Sequence, residues 1–433
     1  MTSSQGLQVA PSSPLVIWTQ NAAIFACCAV LVSTALASIG FVVFLLLFAC
    51  VCATSGRKEL DVESFPKGFA AALGVYFAWQ VIGLTYTAAP LAYGIETIYS
   101  DRKILFILPL VLLFSGDASK RRFLRVFFGL AVAGMLLSFA LTTSFVQQLV
   151  AHSPVKLSRS SMPVAPENLF RSYATQSMVF ALCAFLAQWF AFQQKRPARK
   201  WLLQALSLGF LVNLATVTHG RSGYVVFLLL VVWSFILWRG WKGMVLGMVA
   251  ALLLGLVAFT FSPSVHERVM KGVTEVQNFK TIPTETSLGR RMVMYETTLG
   301  IIRDNPFFGV GTGGFKQEFS AIAAEKYSGW RANPADDPHN QYLFILAENG
   351  LVGLTAFLAV IAMILKYALK SGSIYGKMAA GCLLAWCATS LFSGHFRTFP
   401  EGHLIAFIVG MLMVSRAPDG QQAGATPADG AAD

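Results

Sequence analysis

The chain has 433 residues, of which 55% are hydrophobic and 12% are charged, and its formal net charge is +12. Soluble globular chains carry about a quarter charged residues, so this composition excludes a soluble globular protein. The basic residues mostly flank apolar runs and do not form one block, which argues against nucleic acid as a partner.

Apolar runs long enough to cross a bilayer recur along nearly the whole chain. They predict an all-α, polytopic integral membrane protein with about twelve transmembrane helices. We expect the break between the first two at Ser38-Ile39-Gly40, because the apolar stretch there is too long for one helix. The predicted spans are 15–34, 36–54, 67–88, 103–115, 123–145, 171–193, 201–218, 222–238, 242–261, 340–369, 376–393 and 402–415.

These spans divide the chain into four parts. We predict transmembrane helices 1–9 in residues 1–261, a large helical loop in 262–338, helices 10–12 in 339–416, and a disordered tail in 417–433. Lys and Arg are concentrated in alternate short loops, and such loops face the cytoplasm. This bias places both termini in the cytoplasm and the large loop outside.

A histidine stands at the predicted start of the tenth span, in Pro338-His339-Asn340. Gly350 and Gly353 follow it at near-whole helical turns, so we expect both glycines on the histidine's own helix face. Small residues there would let a neighbouring helix approach and fix the histidine, as a general base requires. The alternative is an interfacial histidine without a catalytic role.

A second polar position is the short turn His219-Gly220-Arg221-Ser222-Gly223 between two apolar spans. The planar guanidinium of Arg221 suits phosphate oxygens, although an arginine at a helix end also reaches toward water without binding anything. His395, Arg397, Glu401 and His403 cluster at the outer end of the last two spans, where they could line a cavity.

The large loop contains Ser287-Leu288-Gly289-Arg290-Arg291 and, further on, the Pro/Gly-rich segment Asn305–Gly311. An amphipathic helix is predicted from Arg291 to Ile302, followed by a tight turn that returns the chain to the membrane surface. The glycines of that turn could cradle phosphate, but no Gly-Lys-Ser/Thr follows, so a nucleotide-binding loop is not predicted. An interfacial helix with solvated arginines is the alternative.

Two carboxylates, Asp336 and Asp337, precede His339 and could bind a divalent metal together with it. A solvated acidic turn fits the neighbouring proline better. We therefore predict no metal and no cofactor.

His339-Asn340, nine residues and then Gly350-Leu351-Val352-Gly353 resembles the H-[NSQ]-x9-G-x-x-G signature of bacterial O-antigen ligases and related O-oligosaccharyltransferases. The span number, the large loop, the Arg-Ser turn at Arg221 and the segment Asn305–Gly311 are similar to that family as well. One position departs from it, because Val225 stands where the family's R-x3-L pattern has leucine.

The resemblance implies transfer of a polysaccharide from undecaprenyl diphosphate to a sugar hydroxyl of lipid A-core, at the periplasmic face of a Gram-negative inner membrane. It assigns the catalytic roles to His339, Arg221 and Arg291, with Arg290 as the alternative to Arg291 for the loop position. The reaction would be an inverting, metal-independent direct displacement, and the protein that catalyses it would be surrounded by membrane lipids. Further residues expected to bind substrate are Asn340, Arg290, Tyr342, Arg171 and Arg397.

Three other functions remain open on the sequence. An O-antigen polymerase uses similar donors, and a protein O-oligosaccharyltransferase can carry the same histidine motif. A lipid-linked sugar transporter would be expected to show internal repeats or helices broken at mid-membrane, and the sequence has no convincing repeat.

Overall fold

The computed structural model describes residues 13–54, 60–63, 65–144, 148, 168–218, 220–278 and 284–414. Every regular element in these ranges is a helix, and they contain no strand, which confirms the predicted all-α fold. His219 and the predicted disordered tail, 417–433, lie outside the described residues.

The helices are numbered here in chain order. They are α1 (Pro14–Val32), α2 (Thr34–Thr54), α3 (Lys67–Gly83), α4 (Leu91–Asp101), α5 (Ile107–Leu113), α6 (Asp117–Ala140), α7 (Tyr173–Gln193), α8 (Pro197–Thr216), α9 (Arg221–Arg239), α10 (Trp241–Phe261), α11 (Pro263–Asn278), α12 (Ser287–Asp304), α13 (Phe315–Lys326), α14 (Gln341–Lys370), α15 (Ile374–Thr389) and α16 (Phe399–Leu412). Short 3-10 helices, Arg102–Phe106 and Gly329–Ala332, stand before α5 and between α13 and α14.

Every predicted span overlaps one of these helices, and the span 103–115 combines a 3-10 helix with α5. Seven helices of the described residues are long and apolar enough to cross a membrane by themselves, namely α1, α2, α6, α7, α9, α10 and α14. The helix α16 is apolar but shorter. The chain is therefore a polytopic helical membrane protein.

The predicted position of the first break is wrong. The chain leaves the helical conformation at Ser33, whose backbone is extended, and Gly40 lies inside α2. A Cβ atom at Gly40 would stand 2.9 Å from the Cα of Ala26, so this glycine serves the close packing of α2 on α1. A small residue in an apolar helix can mark a helix crossing as well as a break.

Helix packing brings several helix ends together on the side of the bundle that carries α11, α12 and α13. The N-termini of α7 and α16 are joined there by a hydrogen bond from Thr175 to Glu401. The N-terminus of α14 is joined to the end of α15 by a hydrogen bond from Gln341 N–H to the carbonyl of Ser390. We call this side the loop end of the bundle.

Candidate functional site

A polar pocket of about 360 Å³ lies at the loop end. The side chain of Thr286 caps α12 by accepting a hydrogen bond from the N–H of Gly289, so the first turn of α12 forms one wall. Two guanidinium groups and the positive end of a helix stand here against one carboxylate, that of Glu285, which lies 3.7 Å from Arg290, so this wall is electropositive on balance. The lining residues are Glu285, Thr286, Ser287, Arg290, Arg291 and His339.

His339 stands on the opposite wall, outside any helix. Its φ is +52°, and the next residue, Asn340, caps α14 by accepting hydrogen bonds from Tyr342 N–H and Leu343 N–H. The expectation that His339 shares a helical stripe with the two glycines is therefore wrong, because α14 begins after it. A left-handed turn, and not a helix face, sets the direction of the imidazole.

Asp337 holds the histidine in this turn. Its Oδ1 accepts a hydrogen bond from His339 N–H at 2.7 Å and lies 3.4 Å from the imidazole Nδ1. A carboxylate beside Nδ1 favours the tautomer in which Nε2 is the proton acceptor. The side chain is 46% exposed, so the imidazole is held in place yet accessible from the pocket.

The adjacent arginines have different surroundings. Arg290 donates to the carbonyl groups of Trp330, Asn333 and Pro334, so it fastens the 3-10 segment to α12. Arg291 is half-buried, and its guanidinium makes no hydrogen bond or ion pair with any residue that the structure describes. Of the two, Arg291 is the cation with free donors in the pocket.

Tyr295, one helical turn beyond Arg291, connects α12 to the membrane helices. Its hydroxyl lies 3.2 Å from the carbonyl oxygen of Leu391 and 3.5 Å from that of His339, and it is hydrogen-bonded with the Asn340 side chain. Burial raises the pKa of Tyr295, while Arg291 and the Asn340 hydrogen bond act in the opposite direction. Tyr295 thus fixes the arginine wall relative to the histidine wall.

Helix α14 is broken at Gly350, whose φ is +63° and ψ is −166°. A Cβ atom there would stand 2.2 Å from the carbonyl oxygen of Phe307, so the partner of this glycine is the loop segment. The prediction that a neighbouring helix packs against Gly350 is therefore wrong. The N–H groups of Leu351 and Val352 donate to the carbonyls of Pro306 and Phe307. For Gly353 a helix is close, since its Cβ would lie 3.3 Å from Trp79 on α3.

The Pro/Gly-rich turn does not cradle phosphate, so that sequence-based hypothesis is wrong. The N–H groups of Val310 and Gly311 donate to the carbonyls of Ala347 and Glu348 beside the break in α14, and the N–H of Gly309 donates to Asn305. These donors are consumed within the protein. The turn instead anchors the loop to α14.

Arg221 is the first residue of α9 and does not line the polar pocket. The glycines on either side of it allow close packing, since a Cβ at Gly220 or Gly223 would lie within 2.6 Å of Ser177 on α7. A cation at a helix N-terminus is electrostatically unfavourable, so this position gains from a nearby anion. Arg221 is therefore at the loop end, beside the start of α7.

The other expected substrate-binding residues all have partners within the protein. Asn340 caps α14, as described above. The hydroxyl of Tyr342 donates to the carbonyl of Cys387, and the guanidinium of Arg171 lies over the Phe399 ring. The guanidinium carbon of Arg397 lies 3.7 Å from the centre of the Phe344 ring, on which the guanidinium stacks. Contact of these residues with a substrate stays a prediction.

A buried polar cluster lies behind the pocket. The Nδ1 of His395 is 2.9 Å from the hydroxyl of Thr389, and Glu401 accepts a hydrogen bond from Thr175 at 2.6 Å. Burial lowers the pKa of His395, and the charge of Arg291 lowers it further while that of Glu401 raises it. The charge of Arg291 on α12 is thus felt within this cluster.

Glu348, which stands at no defined position of the sequence motifs, is buried at the break in α14, and its Oε1 lies 3.4 Å from the backbone nitrogen of Phe315. A carboxylate inside an apolar span is the signal that could have revealed it. Asp336 forms an ion pair with Lys316 at 2.8 Å, whereas the carboxylate beside the His339 imidazole is that of Asp337. Among the described residues no group of three or more His, Cys, Asp or Glu side chains could hold a metal ion.

These observations define the class of the protein. It is a polytopic helical membrane protein with an electropositive pocket and an accessible histidine at one end of the bundle. Residues 205–358 match the family model of O-antigen ligase, which confirms the resemblance seen in the histidine motif and is consistent with a member of that family. The match covers the second half of α8, all of α9 and α10, the loop helices and the first part of α14. It supports a membrane glycosyltransferase of the ligase or polymerase type.

The chain is also similar to an uncharacterized protein of Haemophilus influenzae strain Rd. The two are 24% identical over 322 residues, which cover 73% of this chain and 76% of the relative.

Proposed function

We propose that the protein is an O-antigen ligase that transfers a polysaccharide from undecaprenyl diphosphate to a sugar hydroxyl of lipid A-core. The observation that carries this proposal is the pairing of Arg291 with His339 across one pocket, inside the segment that matches the O-antigen ligase family. Both substrates are lipids, which agrees with a site where the loop meets the membrane helices.

The proposed reaction is a direct displacement at the anomeric carbon. Nε2 of His339 accepts the proton of the acceptor hydroxyl as its oxygen attacks, and the bond from the sugar to the diphosphate breaks. Arg291, which forms no ion pair among the described residues, stabilises the negative charge on the leaving diphosphate. Asp337 stabilises the imidazolium that forms. No metal takes part in this scheme.

Arg221 would hold the lipid diphosphate from the side of α9. The diphosphate bears negative charge over a length that exceeds one guanidinium group, so two separated cations can bind it together. Because Arg221 does not line the pocket, the proposal requires that the substrate or the loop moves so that Arg221 and Arg291 reach the same diphosphate.

The test is complementation of a ligase-null strain, with polymer-capped lipopolysaccharide as the readout. His339→Ala, Arg291→Ala and Arg221→Ala are each expected to abolish capping at wild-type protein levels. His266→Ala is the matched control, because His266 lies on α11 against Phe259 and outside the pocket. Normal capping by the His339 variant would end the proposal.

An O-antigen polymerase and a protein O-oligosaccharyltransferase share the donor and differ in the acceptor. Offering the purified protein lipid A-core, a second lipid-linked glycan and a pilin-like peptide in parallel separates the three. The ligase proposal expects label on lipid A-core alone.

A further inference from the structure

A second cavity, of about 760 Å³, lies between α7, α8 and α9. We call it the distal cavity, because it is lined by the last turns of α7 and α9, whose first turns are at the loop end. Its walls are mainly apolar and include Phe185, Leu211 and Leu230. Two further lining residues, Phe192 and Trp238, are 71% and 64% exposed, so the cavity opens to the surface of the bundle. In a membrane this opening faces lipid chains.

A buried polar group of the distal cavity lacks a hydrogen-bond partner in the part of the chain that the structure describes. The indole N–H of Trp189 is buried and makes no hydrogen bond with any described residue. A buried donor without an acceptor is costly, so an acceptor from a bound molecule is favourable here. Trp189 lies one helical turn, about 6 Å, inside the end of α7 at Gln193. This is the depth at which a phospholipid carries its ester carbonyl groups below the phosphate.

The helix ends around the opening are strongly basic. Residues 168–266 contain no Asp or Glu. The ion pairs among the described residues include none of the cations at these helix ends, and Arg239 is stacked on Trp238. These cations are Lys195, Arg196, Arg199, Lys200, Arg239 and Lys242.

We infer that the distal cavity binds an acyl chain of an anionic phospholipid whose phosphate lies among these cations. The apolar walls surround the chain, the Trp189 indole donates to an ester carbonyl, and the basic helix ends hold the headgroup. Neither the ligase chemistry nor the polar pocket enters this inference. A polyprenyl phosphate shares the anionic head but has no ester carbonyl to accept from Trp189.

The test is displacement of a spin-labelled phosphatidylglycerol from the purified full-length protein in neutral detergent. Unlabelled phosphatidylglycerol is expected to displace the label at least fivefold better than phosphatidylcholine, because each cation at a membrane surface strengthens anion binding about fivefold. The double variant Arg196→Gln, Arg199→Gln, at exposed positions, is expected to weaken binding about 25-fold.

A cavity-filling variant gives a second, independent readout. Ser234→Trp places a large side chain among the lining residues and is expected to abolish binding of the labelled lipid. Leu252→Trp is the matched control, because Leu252 on α10 is 72% exposed and outside the lining, and this variant should bind as the wild type does. Equal displacement by both phospholipids, unchanged binding by Ser234→Trp, or stronger displacement by undecaprenyl phosphate would each overturn the inference.

Discussion

The break in α14 offers the sharpest test of how the loop is attached to the membrane helices. In Gly350→Ala the new methyl group would meet the Phe307 carbonyl at 2.2 Å, and the backbone conformation is one that only glycine adopts readily. That conformation costs alanine about 1–3 kcal/mol. Two hydrogen bonds, from Leu351 and Val352, are also lost, at about 1 kcal/mol each. We expect a destabilisation of about 3–5 kcal/mol, as the sum of these costs.

The assay for Gly350→Ala is thermal unfolding in detergent, followed by intrinsic fluorescence, with glycan transfer measured on the same sample. Gly300→Ala is the control, because a Cβ at this helical position on α12 meets no atom within 4 Å. Alanine there should leave unfolding unchanged or raise its midpoint. Equal midpoints for Gly350→Ala and the wild type would refute the reasoning.

Four further results are expected. Arg290→Ala lowers the unfolding midpoint because three hydrogen bonds to carbonyl groups are lost. Arg291→Ala leaves the midpoint unchanged and lowers glycan transfer about 100-fold or more. The reverse pattern would exchange the roles of the two arginines. Tyr295→Phe costs about 1 kcal/mol of stability and lowers kcat more than it changes KM, and a pure KM effect would count against a positioning role. Because burial depresses the pKa of His395 in the folded protein, the unfolded chain binds this proton first as the pH falls. The contribution of neutral His395 to the free energy of unfolding is fully present above the unfolded pKa near 6.5. It is lost as the pH drops toward the folded pKa, at up to about 1.4 kcal/mol per pH unit. His395→Asn should flatten this dependence in melts between neutral and acidic pH. Transfer in excess chelator should continue at the wild-type rate, and a loss restored by a divalent ion would bring Asp337 into a metal site.

The fold follows from the sequence because lipid imposes helices on every apolar span. What the sequence could not reveal is where a helix breaks. Gly40 and Gly350 both interrupt apolar stretches, yet Gly40 packs inside α2 and Gly350 breaks α14. The difference lies in the partner, which is Ala26 in one case and the Phe307 carbonyl in the other. Partners distant in sequence decide the outcome.

The polar pocket was predictable in part. His339 and Arg291 stand out as ionisable residues next to apolar spans, and the structure places both at one pocket. Adjacent arginines on a helix differ by about 100° in direction, so only the carbonyl partners of Arg290 distinguish the two. The connecting role of Tyr295 could not be predicted, because its partner Leu391 lies far from it in the sequence, at the end of another helix.

The most direct test of the proposed function is turnover by the purified protein with both lipids in detergent. The donor carries a radiolabelled glycan on undecaprenyl diphosphate, and the acceptor is lipid A-core. The proposal predicts that labelled, glycan-bearing lipid A-core and free undecaprenyl diphosphate appear in equal amounts, and that both disappear with His339→Ala. An intact donor after incubation with folded wild-type protein, or turnover that survives His339→Ala, would contradict it.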